Sequence, residues 1–162
     1  MSSDNLPPVT TLGWDDFDRH CVSLADKVRA EGRTFDAIVA LQRGGCITGV
    51  VLSHLLDIPN FLTLGIRTTF SEEIRAARLA PVIRGEAVLE LVRGKSILLL
   101  DDVCNTGSTL QTAKACVDGF APAEITTGVT IWDGDGDEPC HADHYGFYAP
   151  GWVVFPWERP RI

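Results

Sequence analysis

A run of large aliphatic residues at positions 97–100 leads directly into two adjacent carboxylates, Asp101 and Asp102, and then into a small polar segment, residues 105–109. Four consecutive aliphatic residues are typical of a strand that is buried on both faces, and such strands belong to parallel sheets covered by helices. Ligands of open α/β sheets bind at the carboxyl ends of their strands. This segment therefore predicts an α/β fold with a polar ligand site at the end of its strand.

The remainder of the chain alternates between predicted helices and strands. Apolar residues from Trp14 to Val28 recur at spacings of three and four, and Gly32 follows them, which predicts a first amphipathic helix. The alternation of elements predicts a mainly parallel central sheet flanked by helices, with right-handed crossovers. Apolar runs predict strands over residues 37–41, 61–66, 96–100 and 125–132, and helices over residues 46–56 and 108–118.

The length and composition fit one domain. The chain has 162 residues, 45% of them hydrophobic, which is enough for a single domain over residues 1–162 and too few for two. Its net charge of −8 argues against a nucleic-acid or anionic membrane partner, because basic patches attract such partners. The five cysteines have no CxxC spacing, and the polar N-terminus has no apolar signal-peptide core. We therefore expect a soluble protein of the reducing cytoplasm.

A charged segment between Arg67 and Gly94 joins two of the predicted strands. Part of it is interpreted as a flexible flap, to which Arg67, Thr68 and Thr69 are assigned. An ordinary surface helix over residues 72–79 explains the same charges equally well. The sequence leaves these two interpretations open.

The polar segment after the aliphatic run has the chemistry of a sugar-phosphate site. Residues 105–109 can turn several backbone N–H groups toward one point, and the following helix adds its N-terminal dipole, so a phosphate monoester fits there. The hydroxyls of Ser108 and Thr109 would add hydrogen bonds, while Asp101 and Asp102 can accept from ribose hydroxyls or hold metal-bound water. The lysine of a GxxxxGK[ST] loop is absent, which argues against a P-loop nucleotidase. The plainer alternative is a carboxylate pair that caps a helix.

Residues 98–103 (LLLDDV) followed by residues 106–109 (TGST) resemble the 5-phosphoribosyl 1-pyrophosphate (PRPP) signature of the type I phosphoribosyltransferases. Arg43-Gly44-Gly45 stands between a predicted strand and a predicted helix and resembles the pyrophosphate loop of that family. In the family, the peptide bond that corresponds here to Gln42–Arg43 is often cis. Residues 152–158 resemble the base-binding segment of the small xanthine/hypoxanthine-guanine branch. The resemblance covers nearly the whole chain.

The resemblance implies an enzyme that moves ribose 5-phosphate from PRPP to a nitrogenous acceptor and releases pyrophosphate. It also implies a C-terminal hood over the base, a Mg²⁺ cofactor and a homodimer or homotetramer. Catalytic roles are implied for Arg43, Asp101, Asp102 and Asn105. The implied ligand-binding residues are Arg43, Gly44, Gly45, Asp101, Asp102, Asn105, Thr106, Gly107, Ser108 and Thr109 for PRPP, Trp132, Trp152 and Val153 for the base, and Asp102 and Glu158 for the metal.

Two positions depart from the pattern of the 6-oxopurine members. Asn105 stands where those members have an aspartate, and Asn cannot take up a proton at neutral pH. Those members also have a lysine soon after the strand predicted at residues 125–132, whereas residues 133–138 read DGDGDE. We therefore expect 6-oxopurines to be poor acceptors. The acidic stretch would favour amino, amidine or cationic groups on the acceptor, although it is also typical of a solvated turn.

Two metal-binding patterns are present only in part. The alternating carboxylates of residues 133–137 resemble a calcium loop, but Glu138 at the sixth position and His144 at the twelfth exclude an EF-hand. Cys140, His141 and His144 have spacing that suits zinc, without an evident fourth ligand. Neither pattern predicts a resident metal.

Two further functions remain compatible with the sequence. A PRPP- or nucleotide-sensing regulator would keep the binding loop without turnover, and Asn105 is the residue that favours it. An enzyme of specialised metabolism would use a non-purine acceptor.

Overall fold

The computed structural model describes residues 8–67, 82–134, 136 and 140–158. Its helices are α1 (Trp14–Ala30), α2 (Gly44–Leu55), a 3-10 helix (Glu86–Val92) and α3 (Ser108–Asp118). Its strands are β1 (Val9–Thr11), β2 (Ala37–Gln42), β3 (Phe61–Arg67), β4 (Val82–Arg84), β5 (Ser96–Cys104), β6 (Glu124–Trp132), β7 (His144–Tyr148) and β8 (Trp152–Val154).

The central sheet has six strands in the order β4-β3-β2-β5-β6-β7. All neighbouring strands are parallel except β3 and β4, which are antiparallel. The order changes direction between β2 and β5, so the carboxyl ends of these two strands open a crevice where a ligand can enter. The predicted α/β class and mainly parallel sheet are confirmed.

The aliphatic run of β5 occupies the centre of two hydrophobic cores, one on each face of the sheet. Leu98 and Leu100 pack on the face that α1 and α2 cover, whereas Ile97 and Leu99 pack on the face that α3 covers. All four side chains are fully buried. Successive residues of a strand point to opposite faces, which is why a continuous aliphatic run is needed at this place.

The two ends of the chain form a second, two-stranded sheet in which β1 and β8 are parallel. Phe155 and Trp157, which follow β8, stack with centroids 4.6 Å apart. Both rings pack edge-on against Phe17 of α1. This C-terminal unit corresponds to the expected hood, but the pairing with β1 was not predicted because three-residue strands leave almost no periodic pattern.

The predicted elements agree with the structure in kind, with one informative difference in length. Strand β5 continues to Cys104 and therefore includes Asp101 and Asp102, which the sequence places after the strand. Thr68, Thr69 and the alternative helix at residues 72–79 lie outside the described residues. Within the described part of the chain, no helix is long and apolar enough to cross a membrane.

Candidate active site

The candidate site lies at the carboxyl edge of β2 and β5. These strands are paired in parallel with Ala40 opposite Leu100, so Arg43, after β2, and Asp102, near the end of β5, meet at the same edge. Helix α2 begins immediately after β2, and α3 begins four residues after β5. The N-termini of two helices therefore flank a pair of carboxylates.

Gly44 and Gly45 bring the first turn of α2 against these carboxylates. A Cβ atom added to Gly44 would lie 1.7 Å from Oδ2 of Asp102, and one added to Gly45 would lie 2.8 Å from the carbonyl oxygen of Leu100. A side chain fits at position 44 only if the Asp102 carboxylate moves, and at position 45 only if the backbone of β5 moves. The two glycines are therefore required by close packing, and the Asp102 carboxylate lies directly beside the loop that the sequence assigns to pyrophosphate.

The carboxylates of Asp101 and Asp102 are held in place by local hydrogen bonds. The backbone N–H of Asp102 donates to Oδ1 of Asp101, and the backbone N–H of Val103 donates to Oδ1 of Asp102, each at 2.9 Å. Among the residues that the structure describes, no Lys or Arg forms an ion pair with either carboxylate. When the pair is ionised, none of these Lys or Arg side chains neutralises its negative charge.

Burial of these two side chains disfavours their ionised forms. Burial raises the pKa of Asp101 well above its ordinary value, and the adjacent Asp102 carboxylate raises it further. Burial also raises the pKa of Asp102, to which the charge of Glu158 adds. Carboxyl groups with raised pKa values are common at functional sites, where a bound proton or cation neutralises them.

The acidic groups fit Mg²⁺ in kind. Magnesium prefers oxygen ligands and is commonly held by one or two carboxylates together with water and substrate phosphates. Asp101, Asp102 and Glu158 supply such oxygens, although Oε2 of Glu158 accepts the backbone N–H of Phe155 at 2.9 Å. Within the described residues, no cluster of three or more His, Cys, Asp or Glu side chains is arranged to hold a metal by itself. The ion would therefore need ligands from the substrate.

The segment between β5 and α3 presents free backbone N–H groups. None of the hydrogen bonds found among the described residues uses the N–H groups of residues 105–109 as donors. Gly107 has a φ of 78°, a left-handed conformation that favours glycine, and it starts α3. Asn105, Thr106 and Ser108 are exposed. This arrangement, with a helix dipole behind it, is a ready anion site.

His141 contacts this segment and was not identified as a site residue from the sequence. A Cβ atom on Gly107 would lie 2.4 Å from Cβ of His141, and Nδ1 of His141 lies 3.4 Å from Nε2 of Gln111. The imidazole therefore packs over the start of α3. Only its place next to Cys140 and near His144 drew attention to it, and that pattern pointed to zinc.

The structure does not group the possible zinc ligands Cys140, His141 and His144 into one metal site. Nε2 of His144 lies 2.9 Å from Oε1 of Glu31, while His141 faces Gln111. The Cys140 thiol pairs instead with Cys104, and this contact lowers the pKa of Cys140 to about 7. The three side chains thus have separate partners.

Arg43 is exposed at the start of α2, and the Gln42–Arg43 peptide bond is cis, as predicted. Its guanidinium forms no ion pair within the described residues. Arg43 is thus available to an anion that approaches the α2 N-terminus. Arg67, which the sequence assigned to the flap, is the last residue of β3 and lies opposite Val82 of β4.

The hood offers a stacking side chain and a free strand edge. Trp152 is 62% exposed, so it is not the core aromatic residue that a hydrophobic sequence context also allows, whereas Val153 is buried. The N–H of Trp152 donates to the carbonyl of Pro8, and the carbonyl of Val154 accepts the N–H of Leu12. Alternate residues of a parallel strand bond to the same neighbour, so the N–H and C=O of Val153 point away from β1.

Trp132, at the end of β6, has a different environment from Trp152. Its indole ring lies against Tyr148 and Tyr145, with centroids 4.6 and 5.3 Å away. It is partly buried and borders Asn105 through the intervening Gly134. Trp132 therefore forms part of the wall beside the polar segment.

Comparisons with known proteins agree with this geometry. Residues 13–160 match the family model described as the phosphoribosyl transferase domain. A xanthine-guanine phosphoribosyltransferase from Roseobacter denitrificans is 25% identical over 152 residues, which cover 91% of this chain and 84% of that protein. A hypoxanthine/guanine phosphoribosyltransferase from Methanothrix soehngenii is 27% identical over 75% of this chain and 65% of that protein. The crystal structure of a purine phosphoribosyltransferase from Pyrococcus horikoshii is 28% identical, has a TM-score of 0.76, and covers 95% of this chain and 96% of that one.

Proposed function

The chain belongs to the phosphoribosyl transferase domain family, and we propose that it transfers ribose 5-phosphate from PRPP to a ring nitrogen of a heterocyclic acceptor, with release of pyrophosphate. The three relatives described above are named phosphoribosyltransferases, and the chain is an enzyme of that kind, similar to the purine branch. The donor, the metal and the acceptor are the parts that we propose.

One observation gives the main support for PRPP as the donor substrate. Two helix N-termini, those of α2 and α3, flank the Asp101–Asp102 pair at one sheet edge. PRPP has a pyrophosphate on one side of its ribose and a phosphate monoester on the other, with two hydroxyls between them. Helix N-termini bind phosphates, and carboxylates accept hydrogen bonds from hydroxyls, so the order of groups in the site matches the order of groups in the ligand.

Different residues of the site would bind different parts of PRPP. Arg43 and the N–H groups of Gly44 and Gly45 would hold the pyrophosphate as it leaves C1, and the N–H groups of residues 105–109 would hold the 5′-phosphate. Asp101 and Asp102 would bind the 2′- and 3′-hydroxyls and fix the ribose. When bound, Mg²⁺ would neutralise charge on the leaving pyrophosphate.

The barrier falls through positioning and charge stabilisation. Bond breaking at C1 concentrates negative charge on pyrophosphate, which the guanidinium and the α2 amides face. The acceptor would stack on Trp152 while the main chain of Val153 contacts its edge. Holding both reactants in line turns a bimolecular step into an intramolecular one.

We expect PRPP with Mg²⁺ to raise the melting temperature, because a ligand that binds only the folded state stabilises it. At 100 times the dissociation constant the gain is about 2.7 kcal/mol, or roughly 5–10 °C for a domain of this size. Differential scanning fluorimetry measures the shift, which Thr106→Ala should reduce. Thr34→Ala, at an exposed threonine outside the site, is the matched control. Absence of any shift with millimolar PRPP would contradict the assignment of residues 105–109.

A further inference from the structure

Cys104, the last residue of β5, and Cys140, which lies shortly before β7, form a pair of neighbouring thiols. Cys104 is 3% exposed, whereas Cys140 is partly exposed and packs against the same hydrophobic core. The Cys104 thiol donates a hydrogen bond to the sulfur of Cys140, and both cysteines are free. A buried thiol therefore lies in contact with a thiol that solvent can reach.

Both cysteines are held in place by the segments that carry them. Three residues after Cys140, Oδ2 of Asp143 accepts the backbone N–H of Thr127 at 2.7 Å and its hydroxyl at 2.8 Å. On the other side of the pair, the carbonyl of Cys104 accepts the backbone N–H of Asp133 at 3.1 Å. The fold thus keeps the two sulfur atoms together.

The five cysteines of the chain differ in how readily they ionise. The hydrogen bond from Cys104 lowers the pKa of Cys140 to about 7, against the opposing effect of burial. Burial raises the pKa of Cys21 to about 12 and also raises the pKa values of Cys46 and Cys116. Peroxides react with thiolates and not with thiols. Cys140 is therefore the thiol best suited to react with a peroxide.

We propose that Cys104 and Cys140 form a peroxide-sensitive redox pair, and that a disulfide between them weakens phosphate binding at residues 105–109. First, the Cys140 thiolate attacks one oxygen of hydrogen peroxide: an S–O bond forms, the O–O bond breaks, and the departing hydroxide takes up a proton to become water. The sulfur of Cys104 then attacks the sulfenic acid of Cys140: the S–S bond forms, the S–O bond breaks, and hydroxide leaves with the Cys104 thiol proton as a second water. The two thiols lose two electrons, which reduce the peroxide, and a dithiol reductant reverses the reaction.

The disulfide would act on residues 105–109 from two directions. Cys104 immediately precedes them, and His141, next to Cys140, lies so close to Gly107 that a Cβ atom added there would be 2.4 Å from Cβ of His141. A covalent S–S bond is much shorter than the contact between two thiols. Its formation therefore moves the end of β5 or presses His141 onto Gly107, and either movement displaces N–H groups that would bind the phosphate. The covalent step is independent of the proposed function, whereas its effect on PRPP rests on that function.

The covalent step is tested by treating the reduced protein with a small molar excess of hydrogen peroxide and blocking the remaining thiols with N-ethylmaleimide. Digestion with trypsin and at Asp118 places Cys104, Cys116 and Cys140 on separate peptides, which mass spectrometry identifies. We expect a Cys104–Cys140 disulfide that dithiothreitol removes and that Cys116→Ser, the matched control, still forms. In Cys104→Ser the reaction should stop at a sulfenic acid on Cys140, which dimedone traps. If Cys140 of the unmodified protein stays a free thiol, or another pair forms the disulfide, the proposal is wrong.

The consequence for binding is measured with PRPP and Mg²⁺ alone, so that no acceptor has to be known. By isothermal titration calorimetry, we expect oxidation to raise the dissociation constant of PRPP at least about 10-fold, the effect of losing one hydrogen bond to a charged group. Reduction should restore the affinity. Cys140→Ser should bind PRPP as the reduced protein does and be insensitive to peroxide, while Cys116→Ser should stay sensitive.

The outcomes separate the redox pair from the proposed function. A disulfide that leaves the affinity for PRPP unchanged would overturn the regulatory role, and so would an equal loss of affinity in peroxide-treated Cys140→Ser. If the disulfide forms but the reduced protein does not bind PRPP, the effect on PRPP and the proposed function fail together, while the redox pair stands. The unmodified protein decides each point even if a variant fails to fold.

Discussion

Gly44→Ala should reduce kcat/KM about 100-fold or more while leaving the fold intact. The added methyl carbon would lie 1.7 Å from Oδ2 of Asp102 and 2.4 Å from its Cγ, so the carboxylate must move. That movement breaks the 2.9 Å hydrogen bond from the Val103 N–H. A misplacement of about 1 Å costs about 100-fold when catalysis depends on positioning. Steady-state kinetics and far-UV circular dichroism measure the two properties.

Gly13→Ala is the matched control for this substitution. A Cβ atom there meets only Oδ2 of Asp16, at the ordinary distance of 3.4 Å, at the start of α1 and outside the site. Its activity should be close to that of the unmodified protein. A folded Gly44→Ala variant with undiminished activity would show that Asp102 does not have to occupy its observed position.

Asp101→Asn should make the free protein more stable and the enzyme less active. Burial and the Asp102 carboxylate raise the pKa of Asp101, so its ionised form destabilises the folded state at neutral pH. Asn keeps the oxygen that accepts the Asp102 N–H and removes the charge. Each kcal/mol recovered raises the melting temperature by about 2–4 °C. Activity should fall about 10- to 100-fold, as when a group that supports metal or ribose binding is lost.

The pH dependence of this stabilisation has a definite sign. A carboxyl group whose pKa is raised by folding binds its proton more tightly in the folded state, so stability falls as the pH rises through that pKa. The advantage of Asp101→Asn should therefore be greatest at neutral pH and disappear below about pH 4, where an ordinary aspartate is also protonated. Thermal unfolding between pH 3.5 and 8 tests this.

Asp18→Asn, which removes an exposed carboxylate of α1, serves as the control and should change neither stability nor activity. The interpretation of the carboxylate pair would be wrong if Asp101→Asn melted at a lower temperature than the unmodified protein at pH 7. It would also be wrong if the variant kept full activity.

The central strands, and their order along the chain, can be predicted from local sequence patterns. Residues 97–100 can be placed in a doubly covered strand because only burial on both faces requires four large aliphatic residues in succession. Helix α3 was predicted with the bounds that it has, Ser108–Asp118, since a small polar loop precedes it and a glycine follows. Both features are local, so neighbouring residues suffice to reveal them.

The parts that escaped prediction depend on contacts between distant residues. Strands β1 and β8 are three residues long and pair across 143 positions of the sequence, with Val9 opposite Trp152. His141 matters because it packs against Gly107, 34 positions earlier, and nothing near His141 indicates that partner. The need for glycine at position 44 likewise comes from Asp102. Such requirements become visible only when the chain is folded.

Sequence and structure together changed the interpretation of residue 133. In the sequence, Asp133 begins an acidic stretch that is typical of a solvated turn. In the structure its Oδ1 is buried without a partner among the described residues, beside Asn105. Composition alone cannot distinguish a solvated carboxylate from an unsatisfied one, because the difference lies in the neighbours that exclude water.

The central claim is tested most directly by following both products of one reaction. The enzyme is incubated with PRPP, Mg²⁺ and each of a panel of amino- and oxo-substituted heterocycles, and pyrophosphate and the acceptor ribonucleoside 5′-monophosphate are quantified together, the latter by mass spectrometry. We expect the two to form in a ratio of one to one with at least one heterocycle of the panel. Pyrophosphate release no faster than the spontaneous hydrolysis of PRPP with every acceptor, in a protein whose melting temperature PRPP still raises, would contradict the transferase account and favour a regulator that binds PRPP without turnover.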